Sequence, residues 1–356
     1  MLWVTKLPFS WSFYYFRYPV VLPINYTISL LYRCNSRCKT CFVWEKDVKE
    51  LTAEEYEKIF KSLGSSPVWV TFSGGEPFLR DDLTEIVTSF ANICKPKLIN
   101  IPTNGLLTEK IVHFTEKILS TLKRSSLIIN LSLDHLDDRH DEIRGVKGNF
   151  TKAINTFKEL KKIKHPNLSV GIHTVISRFN VKDIKEIFTE LTSLSPDSYI
   201  LEVAEERVEL NTVGKEITPL LEDYIEALNF IKEKLNQFSP RGIYPKLAKA
   251  FRLEYYDLTQ KYFLGTPPPI PCYAAFASCQ ITPEGEVWSC CIKGESMGNL
   301  KDFNLHFPSL WKSKLAEEVR KKIKLGCFCP LANAAYTNLL LHPPSWFKIL
   351  PHLVKK

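Results

Sequence analysis

The stretch Cys34-Asn35-Ser36-Arg37-Cys38-Lys39-Thr40-Cys41 sets three thiols in a C-x3-C-x2-C array. It follows directly on an apolar run, Tyr26 to Tyr32, that reads as a strand. Thiolates are soft ligands, and three converging from one short loop suit zinc or an iron–sulfur cluster. A closed structural zinc site takes four protein ligands, and no fourth Cys or His lies close by in the sequence. A cubane cluster held by three thiolates instead leaves one iron open to an outside ligand.

Outward from this loop the chain alternates. A helix is predicted over Leu51 to Leu63, with Thr52 as N-cap, Glu54 and Glu55 in the first turn, and Gly64 as the stop. The β-rich run Val68 to Phe72 leads into Ser73-Gly74-Gly75-Glu76-Pro77, and a helix follows over Asp81 to Cys94. The next strand, Lys97 to Ile101, ends at Thr103-Asn104-Gly105, and the strand Leu127 to Leu133 ends in Asp134. Strands at Leu168 to Ile176 and Tyr199 to Val203 complete six strand-then-helix units, with helices at Thr108 to Leu122, Asn149 to Ile163 and Val181 to Leu194. Apolar strands alternating with helices predict a parallel sheet covered by helices, and six units suit an incomplete, TIM-like (β/α)6 barrel over residues 24–215.

Chemistry in such architectures collects at the C-terminal ends of strands. The cysteine loop, the Gly-Gly-Glu-Pro turn, the Thr-Asn-Gly turn and Asp134 all fall on that edge. Gly74 and Gly75 let the backbone turn sharply and approach a ligand, Glu76 offers an acceptor, and Pro77 fixes the exit. A carboxylate or exposed carbonyls there would suit an ammonium group. Asn104 either lines the same pocket or belongs to a plain turn. His173 reads as a satisfied core histidine of the fifth strand, Glu202 as a candidate for the pocket, and the acidic run from Glu202 to Glu209 as mostly solvated.

The array of cysteines, with Gly-Gly-Glu-Pro beginning thirty-three residues beyond Cys41, resembles the radical S-adenosylmethionine (SAM) superfamily. The resemblance implies a 4Fe–4S cluster on Cys34, Cys38 and Cys41 whose open iron chelates SAM. One electron then cleaves SAM to methionine and a 5′-deoxyadenosyl radical, which abstracts hydrogen from a substrate carbon. It also implies that Gly74, Gly75, Glu76 and Pro77 hold the methionyl amino group and that Ser132 reaches the ribose. The pattern His140-Asp141-Glu142-Ile143-Arg144-Gly145 is similar to that of the peptide- and cofactor-modifying branch. Arg144 is expected to hold the SAM carboxylate or to pair with Asp141. One departure stands out: the family usually has an aromatic residue before the third Cys, and here that position is Thr40.

Beyond a helical bridge, residues 216–265, the run Gly265-Thr266-Pro267-Pro268-Pro269-Ile270-Pro271 is the strongest linker signal. Six of the ten cysteines lie past it. Twelve residues separate Cys272 from Gly285, and four separate Gly285 from Cys290. Ile281 to Trp288 reads as a β-hairpin that would bring Cys272 and Cys290 together, with Cys327-Phe328-Cys329 closing the other side. This region, residues 266–335, resembles the SPASM/twitch auxiliary-cluster extension. The resemblance implies a second 4Fe–4S cluster on Cys272, Cys290, Cys327 and Cys329. Cys279 and Cys291 are left as parts of an incomplete further cluster or as buried thiols, and zinc on the four distal cysteines is the structural alternative.

The formal net charge of +8 is mild for 356 residues, and no nucleic-acid recognition motif accompanies it. Basic residues concentrate late, in Lys312, Lys314, Arg320, Lys321, Lys322 and Lys324, then Lys348, Lys355 and Lys356. No apolar run is long enough to span a membrane. The aromatic N-terminal segment 1–23 and the aromatic, basic tail 336–356 are each consistent with packing on the barrel or with contact at a membrane surface. The expected protein is a cytoplasmic enzyme, with peripheral contact at the inner membrane face left open. It is expected to be served by a reductant such as flavodoxin or ferredoxin and to act on a peptide or protein, or alternatively on a lipid or glycan; the competing class is a non-catalytic protein in which zinc or iron–sulfur centres are structural.

Overall fold

A computed structural model describes residues 3–237, 243–323 and 326–354; Lys324, Lys355 and Lys356 lie outside the described residues. Six strands, β1 (Asn25–Leu31), β2 (Trp69–Gly74), β3 (Leu98–Thr103), β4 (Ser126–Ser132), β5 (Leu168–Ile176) and β6 (Ser198–Val203), lie side by side in chain order. All five pairings between them are parallel. Helix α1 (Leu7–Phe16) precedes them, and α2 (Ala53–Leu63), α3 (Leu83–Cys94), α4 (Thr108–Thr121), α5 (Asp137–Arg144), α6 (Asn149–Lys162) and α7 (Ile184–Ser193) make the crossovers. This is the open (β/α)6 arrangement expected from the alternation.

The local rules explain these elements well. Thr52 caps α2 in a capping box, its hydroxyl accepting from the Glu55 amide while the Glu55 carboxylate accepts from the Thr52 amide. Tyr56, Ile59, Phe60 and Leu63 recur on one face and are buried, each worth about 1.5–3 kcal/mol of transfer free energy. Cys94 is buried at the end of α3, where its thiol packs as a small hydrophobe.

The bridge is two helices, α8 (Leu221–Gln237) and α9 (Ile243–Phe263). The cysteine-rich region then extends the main sheet. Strand β7 (Ser278–Ile281) pairs in parallel with β1, β8 (Glu286–Trp288) turns back antiparallel to β7, and β9 (Ser296–Asn299) follows, so the order is β6-β5-β4-β3-β2-β1-β7-β8-β9. The hairpin was legible; its docking on the edge of the barrel was not. Helices α10 (Phe307–Trp311) and α11 (Lys314–Ile323) close this region.

Both chain ends pack on the body. Phe13 and Tyr14 of α1 are buried, with ring centroids 5.4 and 4.9 Å from Phe276. Helix α12 (Ala332–Leu341) ends before Pro343, and α13 (Pro343–Val354) buries Ile349 and sets Trp346 5.5 Å from Phe251 of α9. Among the described residues no helix is long and apolar enough to cross a membrane.

Candidate active site

A cavity of about 210 Å3 opens at the C-terminal edge of the strands, and Cys34, Cys38 and Cys41 line it with Gly74, Gly75 and Glu76. The geometry of the cysteine loop is imposed from its neighbours. The Arg37 and Lys39 amides donate to the carbonyls of Arg144 and Ile143 at 2.9 and 2.8 Å. That docking needs Gly145, which has φ of +66° and whose added Cβ would collide with the Arg37 carbonyl oxygen. Asn104 reaches the loop from the end of β3, its Nδ2 donating to Asn35 Oδ1 at 2.7 Å and Ser36 Oγ at 3.0 Å. Asn104 therefore serves both expectations, since its Oδ1 also accepts from the Leu106 amide in the turn.

The donor set around the thiols fits an anionic metal ligand. The Ser36 amide lies 3.4 Å from Cys34 Sγ, Asn104 Nδ2 lies 3.9 Å from it, and Arg144 Nη1 lies 3.7 Å from Cys38 Sγ. Hydrogen bonds to sulfur are among the levers that tune iron–sulfur centres. Burial pushes the Cys34 thiol up to about 11 and Cys41 to about 12, so unligated they hold their protons at neutral pH. A bound metal centre reverses that preference, because its positive charge favours the thiolate. Among the described residues no three His, Cys, Asp or Glu side chains close around a single metal ion. An iron–sulfur cubane spreads its ligands over several metal atoms.

Beside the loop, Gly74 has φ of +121°, and a Cβ on Gly75 would fall inside the Arg33 carbonyl oxygen. The turn is thus pressed against the start of the cysteine loop. The Glu76 carboxylate does not stand free for an ammonium group. Its Oε1 accepts from Thr103 Oγ1 at 2.9 Å and the Phe78 amide at 3.2 Å, and its Oε2 from the Asn104 amide at 2.8 Å. Burial raises it to about 7, against the pull of those donors. Pro77 is buried behind the turn, starting a short 3-10 helix. Ser132 lines the cavity at the end of β4, in register with His173 of β5.

Arg144 corrects one expectation. Its Nη2 pairs with Asp134 Oδ2 at 2.9 Å, not with Asp141, whose carboxylate instead accepts from the amides of Gly148 and Phe150. Arg144 thereby ties the end of β4 to Cys38.

The side of the cavity formed by β5 and β6 holds the residues that sequence reasoning undervalued. His173 lines the cavity instead of sitting in the core, with Nε2 3.6 Å from Glu202 Oε1. The acidic run is not solvated: Glu205 and Glu209 are buried. Arg207 Nη2 lies 2.9 Å from Glu205 Oε1 and 4.0 Å from Glu202 Oε2. Burial pushes Glu205 up to about 7, whereas Glu202, despite its own burial, is held below the usual carboxylate range by His173, Arg207 and Arg252. Trp44 also lines the cavity, with Arg37 stacked 4.5 Å over its ring. The signal for Glu205 and Arg207 was their place just after a strand, on the chemical edge.

The distal cysteines gather as a second group. The Cys272 thiol hydrogen-bonds Cys327, which lowers Cys327 and raises Cys272. Cys329 is within electrostatic reach of Cys290, Cys327 and Glu205. These four are the residues whose spacing suggested a second centre, and a set of four thiols suits one. Cys279 is buried elsewhere, on β7 near Arg320. Cys291 is buried beside Arg207 and packs with Leu331 and Ala334.

Comparison with known proteins agrees with both halves. Residues 28–191 match the radical SAM superfamily, and residues 272–330 match SPASM, an iron–sulfur cluster-binding domain. The chain is 34% identical over 162 residues to Fe-coproporphyrin III synthase of Methanosarcina barkeri, covering 44% of this chain and 38% of that protein. It is 29% identical over 297 residues to GTP 3′,8-cyclase of Clostridium botulinum, covering 79% and 85%. The match to the synthase thus spans under two-fifths of that relative's length. In fold, it is similar to Streptococcus suis SuiB bound to the precursor peptide SuiA (TM-score 0.61, 18% identity, 84% of this chain and 67% of SuiB). It is also similar to anSMEcpe with bound AdoMet and the Cp18Cys peptide (TM-score 0.59, 16% identity, 94% and 98%).

Proposed function

The chain belongs to the radical SAM superfamily and carries a SPASM domain, and from that premise we propose that it modifies a peptide or protein by hydrogen abstraction from a substrate carbon. The 4Fe–4S cluster, when bound, supplies the electron that cleaves SAM to methionine and a 5′-deoxyadenosyl radical. Cys34, Cys38 and Cys41 are its ligands in this reading, and Cys272, Cys290, Cys327 and Cys329 hold the auxiliary cluster. The observation that carries the reading is the convergence of the three loop cysteines with the Gly74–Gly75 turn on one cavity.

The chain's own residues have definable tasks. Asn104 and Gly145 fix the cysteine loop, and Arg144 stabilises negative charge on Cys38 while anchored by Asp134. The backbone of Gly74 and Gly75 faces the same cavity, where carbonyls would accept from the SAM ammonium group. Glu76 shapes that turn from behind, through Thr103 and Asn104. Ser132, at the end of β4, would meet a ribose hydroxyl in this reading. The walls exclude water and competing hydrogen donors. A low-potential reductant such as flavodoxin or ferredoxin would deliver the electron.

For the substrate, support comes from the two peptide-bound proteins of similar fold. The test is anaerobic reconstitution followed by assay of 5′-deoxyadenosine from SAM under reducing conditions. Release of 5′-deoxyadenosine is expected, and its stimulation by peptide fractions supports the substrate class. No release overturns the reaction, and stimulation by GTP or a lipid extract instead of peptide overturns the substrate.

A further inference from the structure

The cavity has a charged wall that none of the cofactor roles above uses. His173, Glu202, Arg207 and Glu205 form a polar ladder along β5, β6 and the segment just after β6, and all four line the cavity. Glu205 is only 7% exposed, and among the described residues its Oε2 finds no hydrogen-bond donor. Nε2 of His173 is likewise buried without a hydrogen-bond partner among the described residues. A buried acceptor without a donor is costly unless something supplies the donor. Two carboxylates face one guanidinium here, and that guanidinium is already taken: Arg207 Nη2 lies 2.9 Å from Glu205 and 4.0 Å from Glu202. An anionic group would have to displace one carboxylate while facing the other. A nitrogen cation meets open acceptor capacity.

We propose that this wall is the polar anchor of the substrate and that it receives a nitrogen cation, an ammonium or guanidinium group. The anchor deepens the assignment of the cavity to a radical reaction and rests on it. Glu205 supplies the unfilled acceptor, Glu202 the more accessible one, and Arg207 holds both carboxylates in place. Burial and the neighbouring Glu202 carboxylate push Glu205 up, and an arriving cation favours its ionised form. Glu205 is also within electrostatic reach of Cys329, so the anchored end of the substrate lies on the auxiliary side of the cavity.

The experiment is anaerobic equilibrium dialysis of the full, reconstituted chain with SAM, using capped tripeptides whose middle residue is lysine, arginine, norleucine or glutamate. The lysine and arginine probes are expected to bind at least about tenfold more tightly than the norleucine or glutamate probes, and the E202Q/E205Q double variant to lose that preference. Probes are compared on the same protein, so binding of the norleucine probe reports an intact cavity. Where the double variant loses that binding too, E202Q alone carries the comparison and is expected to cut the preference severalfold. Equal binding by all probes in the wild type overturns the proposal, as does a cation preference that survives the substitutions. Assay of 5′-deoxyadenosine on the same preparation separates the two claims. No 5′-deoxyadenosine with the preference intact sinks the radical reading, and 5′-deoxyadenosine without preference sinks the anchor.

Discussion

The two cysteine groups are built in opposite ways. The loop Cys34–Cys41 is one short segment, and its shape is imposed by residues far along the chain, Asn104, Arg144 and Gly145. The group of Cys272, Cys290, Cys327 and Cys329 comes from three separated segments brought together by the hairpin of β7 and β8 and by the chain beyond α11. A local array needs outside clamps to point it at a cavity. A dispersed one needs its scaffold folded before it exists at all. The first arrangement presents three thiols beside an open cavity, as suits a centre that binds an exchangeable ligand; the second offers four thiols, as suits a centre whose ligands all come from the protein.

The comparison breaks most visibly at glycines. In Gly75→Ala the new Cβ meets backbone, the Arg33 and Tyr32 carbonyls, which cannot swing aside as a side chain would. A loss of about 4 kcal/mol or more in stability is expected, with failure to load the loop cluster, read by thermal unfolding and iron content. In Gly285→Ala the nearest atom is the Asn299 side chain at 3.3 Å, and the cost is the left-handed φ of +97°, about 1–2 kcal/mol. If the two variants behave alike, the asymmetry argued here is wrong.

Cys329→Ala sharpens the same contrast. The reconstituted wild type is expected to hold about eight irons and the variant about four, with 5′-deoxyadenosine still released from SAM. Retention of full iron would remove Cys329 from the ligand set.

His140 adds a pH dependence on the barrel side. It is buried, with Nδ1 accepting from the Asp134 amide at 3.2 Å and Nε2 2.8 Å from Asn149 Oδ1. Burial, with Arg144 nearby, pushes it down to about 4. The unfolded chain binds this proton at about 6.5, so the stabilisation is complete above that pH and falls by about 1.4 kcal/mol per unit as the pH drops toward 4. Chemical denaturation between pH 4 and 7 should show the slope, and H140Q should flatten it. An unchanged slope in H140Q would place the titration elsewhere.

Asn104→Ala is the mildest. Losing the hydrogen bonds to Asn35 and Ser36 should cost about 1–3 kcal/mol and speed the loss of iron to a chelator, while the Cys329 site keeps its own. Equal chelation rates in variant and wild type would show that Asn104 does not clamp the loop.

What the sequence made legible was short-range or periodic. The Thr52 cap and the six strand-then-helix units each depend on neighbours within a few residues, and both are found as read, while the cysteine array and the Gly-Gly-Glu-Pro turn fall on the strand edge where the alternation put them. What stayed hidden depended on pairing across the fold. Asp141 is three residues from Arg144 yet is turned to cap the start of α6, leaving Asp134 as the partner. The acidic run after β6 looked solvated because its composition is polar, but the end of a barrel strand points such residues inward. The docking of β7 on β1 joins segments some 250 residues apart, a choice no local pattern encodes. Thr40, at the position the family usually gives to an aromatic, is buried and lines the cavity, and nothing in the structure explains the exchange.

The central claim is that the loop Cys34–Cys41 carries a cluster open to SAM, while the distal cysteines carry one that is closed. Electron paramagnetic resonance of the reduced, reconstituted chain, with and without SAM, tests it most directly. The account predicts two cluster signals, of which one changes on adding SAM and is absent from the C34A/C38A/C41A variant. A wild-type spectrum indifferent to SAM, or a triple variant that still responds, would contradict it.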